Sequence, residues 1–210
     1  MDRKKDRRGN LRALPAEATP ENAPRQGFCE AQKAAAGVLA VPSEAVTIVP
    51  AGRDDLPAVA ALAPAIWQYA YGKILSQEQI AYMLDMMYAQ AVLQADFDRG
   101  VKFRLIKSGG ETVGFFSFFE YGDDHTTIKL DKLYLLPAYH GRGIGSMALR
   151  HLAECASDAG YGKLRLNVNK NNLRAIAAYT RNGFKKKESV KIDIGSGFFM
   201  DDFIMEKKLM

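Results

Sequence analysis

The chain has 210 residues, 48% hydrophobic and 25% charged, enough for a sizeable core in one soluble domain. A net charge of +5 suggests a nucleic-acid partner, but Arg3, Lys4, Lys5, Arg7, Arg8 and Arg12 against Asp2 and Asp6 supply +4 of it within the first twelve residues, so the basicity belongs to a tail and not to a domain surface. Two cysteines, Cys29 and Cys155, stand in no metal-like or CxxC spacing, which argues against a disulfide scaffold and suits a reducing cytoplasm, and no apolar run is long enough to span a membrane.

Residues 1–45 read as a disordered extension rich in Ala, Pro and charge, and residues 46–210 as the folded domain. Thr47-Ile-Val is a short first strand. Asp54-Asp-Leu-Pro opens a helix with Pro57 in its first turn and an apolar face at Val59, Leu62, Ile66 and Tyr69. Ser76-x-x-Gln79 is a capping box for a second helix carrying Ile80, Met83, Leu84, Met87 and Ala91. Strands follow at Val101–Lys107 and Thr112–Glu120, joined by the Ser108-Gly-Gly-Glu111 turn. A further strand, Thr126–Leu136, ends at Pro137 and gives way to a glycine-rich turn and a helix that runs to Gly160. A strand at Leu164–Asn169, a short helix through Tyr179, and a closing pair at Phe184–Ile194 and Phe198–Lys208 complete the chain.

The chemistry concentrates at His140-Gly-Arg-Gly-Ile-Gly-Ser146. Gly141, Gly143 and Gly145 let the backbone bend close to a ligand, the helix that follows presents unpaired N–H groups at its positive end, and Arg142 adds a forked cation. The chemistry implied is phosphate or pyrophosphate binding. A Walker loop is absent, and the dinucleotide fingerprint fails because Ser146 stands in place of the third glycine and no carboxylate follows near Leu164–Leu166. His140-Gly-Arg-Gly-Ile-Gly145 instead resembles motif A of the GNAT superfamily of N-acetyltransferases, with His140 where the family usually has Gln or Arg. Asn169…Arg174-Ala175…Tyr179-x-x-x-Gly183-Phe184 resembles its motif B, in the right order and at the usual separation.

The resemblance implies an α/β (α+β) GNAT fold: a mixed, mostly antiparallel sheet with one splayed parallel strand pair and about four flanking helices. It implies acetyl-CoA as cosubstrate and CoA as product. Backbone groups of Leu133 and Leu135 would hold the pantetheine arm, the Arg142–Ser146 amides the pyrophosphate, with His140 beside them, and Asn169 would reach the arm with its side chain. Tyr179 would be the general acid for the departing thiolate. The base stays open among Asp131, Glu120, His125, His140 and an ordered water. Asp131 alternates with Leu133 and Leu135, which suggests that it shares their side of the strand. Trp67, Tyr69 and Tyr71, with Asp201 and Asp202, are candidates for the acceptor site. A looser likeness to bacterial polyamine acetyltransferases suggests a small-molecule amine, a polyamine in particular. Acetylation of a protein N-terminus or lysine, and CoA binding without turnover, are the alternatives. The partners implied are a small amine and a second copy of the chain as a homodimer, with no specific nucleic acid, no membrane and no metal, in the cytoplasm.

Overall fold

The computed structural model describes residues 45–123 and 125–210; the extension expected over residues 1–45 lies, up to residue 44, outside them, as does Cys29. Seven strands form one sheet in the order β1-β2-β3-β4-β5-β7-β6. They are β1 (Val46–Ala51), β2 (Lys102–Ser108), β3 (Glu111–Tyr121), β4 (Thr127–Leu135), β5 (Lys163–Asn169), β6 (Lys185–Gly195) and β7 (Phe198–Lys208). All neighbours are antiparallel except β4 and β5, the pair joined by a helical crossover, as strands of like direction require. On one face lie α1 (Leu56–Tyr71), α2 (Gln77–Tyr88) and α3 (Gln90–Asp98); their core joins Leu56, Val59, Trp67 and Leu93 to Phe103 and Phe115. On the other lie α4 (Ile144–Asp158) and α5 (Leu173–Arg181), packing Leu149, Leu152 and Ile176 against Phe116, Phe118, Ile128 and Leu164.

The helices number five among the described residues, against about four expected, because the second splits. Ala89 turns to φ −53° and ψ 139°, so α2 stops and α3 starts afresh. Alanine favours helix, so local propensity does not cause the break. Packing does: Tyr88 and Leu93 are both buried, yet on one continuous helix they would stand about 140° apart and could not share a core face. The face expected on α1 also shifts, since Trp67 is buried and Tyr69 is 54% exposed. Ser76 caps α2 by accepting from the Gln79 N–H at 3.1 Å. The Gln79 side chain reaches away to donate to the Phe199 carbonyl at 2.8 Å, and Tyr82 donates to the Ile194 carbonyl at 2.5 Å, so α2 pins the β6–β7 hairpin.

The decisive irregularity is in β4. Against β3 its register runs Ser117↔Lys132 and then Phe118↔Leu130, leaving Asp131 as an extra, unpaired residue. Such a bulge bends its strand and raises its twist. The parallel ladder with β5 stops at the same point: Leu130↔Leu166 is its last pair, although β4 continues to Leu135 and β5 to Asn169. The expected splay is therefore present, and the bulge is its cause. The bulge is held by charge. Lys132, 3% exposed, pairs with Asp131 and lies 3.7 Å from Asp96 of α3, while Ser117 donates to Asp131 at 3.2 Å. Burial would raise the Asp131 pKa, but Lys132, Lys129 and Ser117 outweigh it and hold the carboxyl below its ordinary value. Substituting Lys132→Met leaves the part-buried Asp131 with Ser117 and Asp96 with Arg99; urea denaturation should show a loss of about 1–3 kcal/mol.

Candidate active site

The splay opens a cleft of about 1210 Å³ that reaches from the glycine loop on the α4–α5 face to the aromatic residues of α1 on the other. Its edge is the free side of β4. The Leu136 N–H bonds the Val113 carbonyl of β3 at 2.9 Å, so Leu136 and Tyr134 direct their backbone toward β3, and Leu133 and Leu135 direct theirs into the gap. Leu133 thus presents strand-type groups to a ligand as a neighbouring strand would receive them. The Leu135 carbonyl is already engaged: the His140 ring bonds it through Nε2 at 2.8 Å.

That bond defines His140. Partial burial, with Arg174 adding, lowers its pKa against the opposing pull of the Leu135 carbonyl, so the ring is neutral near pH 7 and Nε2 carries the proton it donates. Its Nδ1 is buried and finds no hydrogen-bond partner among the described residues. His140 therefore fastens the glycine loop to the end of β4, a backbone role that fits its departure from Gln or Arg.

The loop has the form phosphate binding needs. Gly141 and Gly143 both adopt φ +77°, which side chains with a Cβ rarely tolerate, and the space a Cβ would enter at either is open to 4 Å. Gly143 is the N-cap of α4, so the N–H groups of Ile144, Gly145 and Ser146 have no acceptor within the helix. Gly145 leaves 3.8 Å between a would-be Cβ and Leu135. The Ser146 hydroxyl accepts from Asn182 at 2.9 Å, tying the start of α4 to the end of α5. Arg142 lies over the Tyr139 ring, 5.2 Å from its centre, at the rim. These residues fit a pyrophosphate-bearing arm.

Tyr179, on α5, lines the cleft with its ring edge-on to Phe184 at 5.7 Å. Burial, and then the nearby Tyr71, push its pKa well up, so it stays protonated. Tyr71 and Tyr134 bring their hydroxyls within 3.3 Å of each other, and Asn172 lines the same cleft. Three tyrosines from α1, β4 and α5 thus meet at the gap. Trp67 packs beneath them, 4.7 Å from Tyr71 and 6.1 Å from Tyr134 between ring centres. At the mouth Arg174 donates to the Tyr69 hydroxyl at 3.0 Å, joining α5 to α1.

Two expectations need correction. Asp131 does not share a side with Leu133 and Leu135: the bulge breaks the alternation, and its carboxylate bonds Ser117 and Lys132 on the α1–α3 side. Asn169 lines the cleft, and its side-chain oxygen accepts from the Asn171 N–H at 2.9 Å, closing the turn before α5. Asp201 pairs with Lys170 and is half exposed, whereas its neighbour Asp202, 2% exposed, lines the cleft. Tyr134, Asn167, Lys129 and Asn172 also line the cleft and stand outside the expected site.

Residues 61–184 match the acetyltransferase (GNAT) family. An uncharacterized N-acetyltransferase of Mycobacterium tuberculosis is 28% identical over 158 residues, 74% of this chain and 99% of that protein. The spermidine N(1)-acetyltransferase of Thermoplasma acidophilum is 28% identical over 160 residues, 74% of this chain and 92% of that protein. The crystal structure of PaiA N-acetyltransferase from the same organism, in complex with coenzyme A, aligns with a TM-score of 0.67 and 26% identity over 78% of this chain and 98% of that one. With a family match over more than half its length, a sheet that parts between β4 and β5, and a glycine cradle beside the gap, the chain belongs to the GNAT family of acetyltransferases and uses acetyl-CoA as its cosubstrate.

Proposed function

We propose that the protein moves the acetyl group of acetyl-CoA directly to the primary amine of a small cationic molecule, a polyamine being the preferred class. One observation carries the reading: the gap leads from the glycine cradle to an acceptor side floored by Trp67 and Tyr71 and bearing a buried carboxylate, Asp202. Aromatic faces and a carboxylate together favour an ammonium. The similarity to the Thermoplasma spermidine acetyltransferase supports the same choice. Among the described residues no helix is long and apolar enough to cross a membrane, which accords with the cytoplasmic location we assign.

Acetyl-CoA, when bound, supplies an activated thioester. In this reading the first-turn amides of α4 bind its pyrophosphate, Arg142 screens the charge from the rim, and the gap-facing backbone of Leu133 orients the arm. Backbone N–H donation from β4 stabilises negative charge developing on the acetyl oxygen. Tyr179, kept protonated by burial, hands its proton to the departing sulfur.

With saturating acetyl-CoA, thiol release should be faster with spermidine than with a lysine-bearing peptide; the reverse order overturns the small-amine reading. Tyr179→Phe should lower kcat by about 10²–10⁴-fold with CoA affinity retained. An equal loss of both makes the residue structural. Gly143→Val forces a side chain into a φ of +77° and into the cradle, so calorimetry should show CoA binding lost while circular dichroism remains that of the folded protein.

A further inference from the structure

Two carboxylates line the cleft, Asp131 and Asp202. Asp131 is neutralised by Lys132 and engaged by Ser117. Asp202 has a different setting. It stands on β7 opposite Asn169, with Met200 two residues before it in the core formed with α1 and α2, so it looks toward the acceptor side of the sheet. It is 2% exposed, and Asn167 of β5, on the same face as its register partner Asn169, offers it a neutral side-chain amide that favours the charged carboxylate. The charged and titratable groups around it are Lys129 on β4, Lys170 after β5, Asp201 on its own strand, and Tyr71 across the cleft on α1. Burial pushes its carboxyl up to about 6 and Asp201 adds to this, while Asn167, Lys129 and Lys170 oppose. Among the described residues no ion pair joins Lys129 to Asp202 as one joins Lys132 to Asp131; the Lys129 amine lies 5.5 Å from the centre of the Tyr121 ring and 5.9 Å from that of Phe119.

A primary amine reaches the cleft as an ammonium at neutral pH and has no lone pair until it loses a proton. We propose that Asp202 is the acceptor-side catalytic residue: its carboxylate receives the ammonium and takes that proton, and Asn167 is the positioning residue that holds the carboxylate toward the incoming nitrogen. This rests on the amine-acetylation reading above. The ammonium gives one proton to Asp202, and the freed nitrogen bonds the acetyl carbon as the carbon–sulfur bond breaks. The sulfur takes the Tyr179 proton, the nitrogen's second proton returns to the Tyr179 oxygen, and Asp202 releases its proton to water. Transfer thus yields the amide, CoA thiol and one proton, with both side chains restored.

The test is the pH profile of kcat/KM with spermidine as probe, for the full-length wild-type chain, Asp202→Asn and Asn167→Ala. The wild type should lose activity as pH falls through about 6, because the protonated carboxyl cannot accept the ammonium's proton. Asp202→Asn should lower kcat/KM by about 10²-fold or more and abolish that acid limb, while calorimetry gives wild-type CoA affinity. In Asn167→Ala a hydrogen bond that favours the charged carboxylate is gone, so the limb should move to higher pH, a shift that a merely structural role would not produce. Wild-type turnover with an unaltered acid limb in Asp202→Asn overturns the role of Asp202 and leaves the amine reading standing. A wild type that binds acetyl-CoA and acetylates no cationic amine overturns both.

Discussion

One extra residue in one strand organises this molecule. Without the bulge at Asp131, β4 and β5 would stay paired to their ends, and the sheet would be closed where the cleft now runs. A two-residue step in register is a small perturbation, but it ends hydrogen bonding on one side only: β3 continues to pair with β4 as far as Leu135. The free groups of β4 therefore stay rigidly placed by one neighbour while the other diverges. An open edge supported in this way differs from a frayed one, because the backbone that meets a ligand is held from behind.

Polar residues under the bulge bind distant parts of the chain to it. Asp96 comes from α3, a helix that exists as a separate element because the chain turns at Ala89, and it reaches Lys132 only from there. The helix break and the strand bulge are in this sense one device. Above the gap, the neutral His140 and the Asn182–Ser146 bond attach the glycine loop to β4 and α5, so the cradle moves with the strands whose parting it adjoins. The acceptor side is fixed separately, by α2 through Gln79 and Tyr82 onto the β6–β7 hairpin. Cofactor and acceptor halves are thus anchored by different helices on opposite faces.

What the sequence revealed follows from the range of the signals. The glycine loop and the helix after it are local patterns, and they appear where expected, as do the strands in chain order and the parallel pair. The failures share one cause, which is that tertiary register is not local. Period-two alternation puts Asp131 with Leu133, and only the β3 pairing shows that the alternation resets between them. Asp201 and Asp202 are chemically alike neighbours, and which one enters the cleft depends on β7 pairing Asn169 with Asp202. Helical spacing joined Ile80 to Ala91, and only the burial of Tyr88 and Leu93 together reveals two helices.

At β6 the sheet ends in an open edge of opposite character. The outer strand β6 offers its unpaired backbone to solvent along eleven residues, a length that would serve as a template for further strands. It begins Lys185-Lys-Lys187, all exposed, with Lys191 further along. A chain adding there would bring a like run of ammonium groups alongside, so repulsion guards the edge against growth into aggregates. The protein thus treats these two unpaired edges differently: the interior one is shaped to accept a guest, the one at β6 is charged to refuse its own kind.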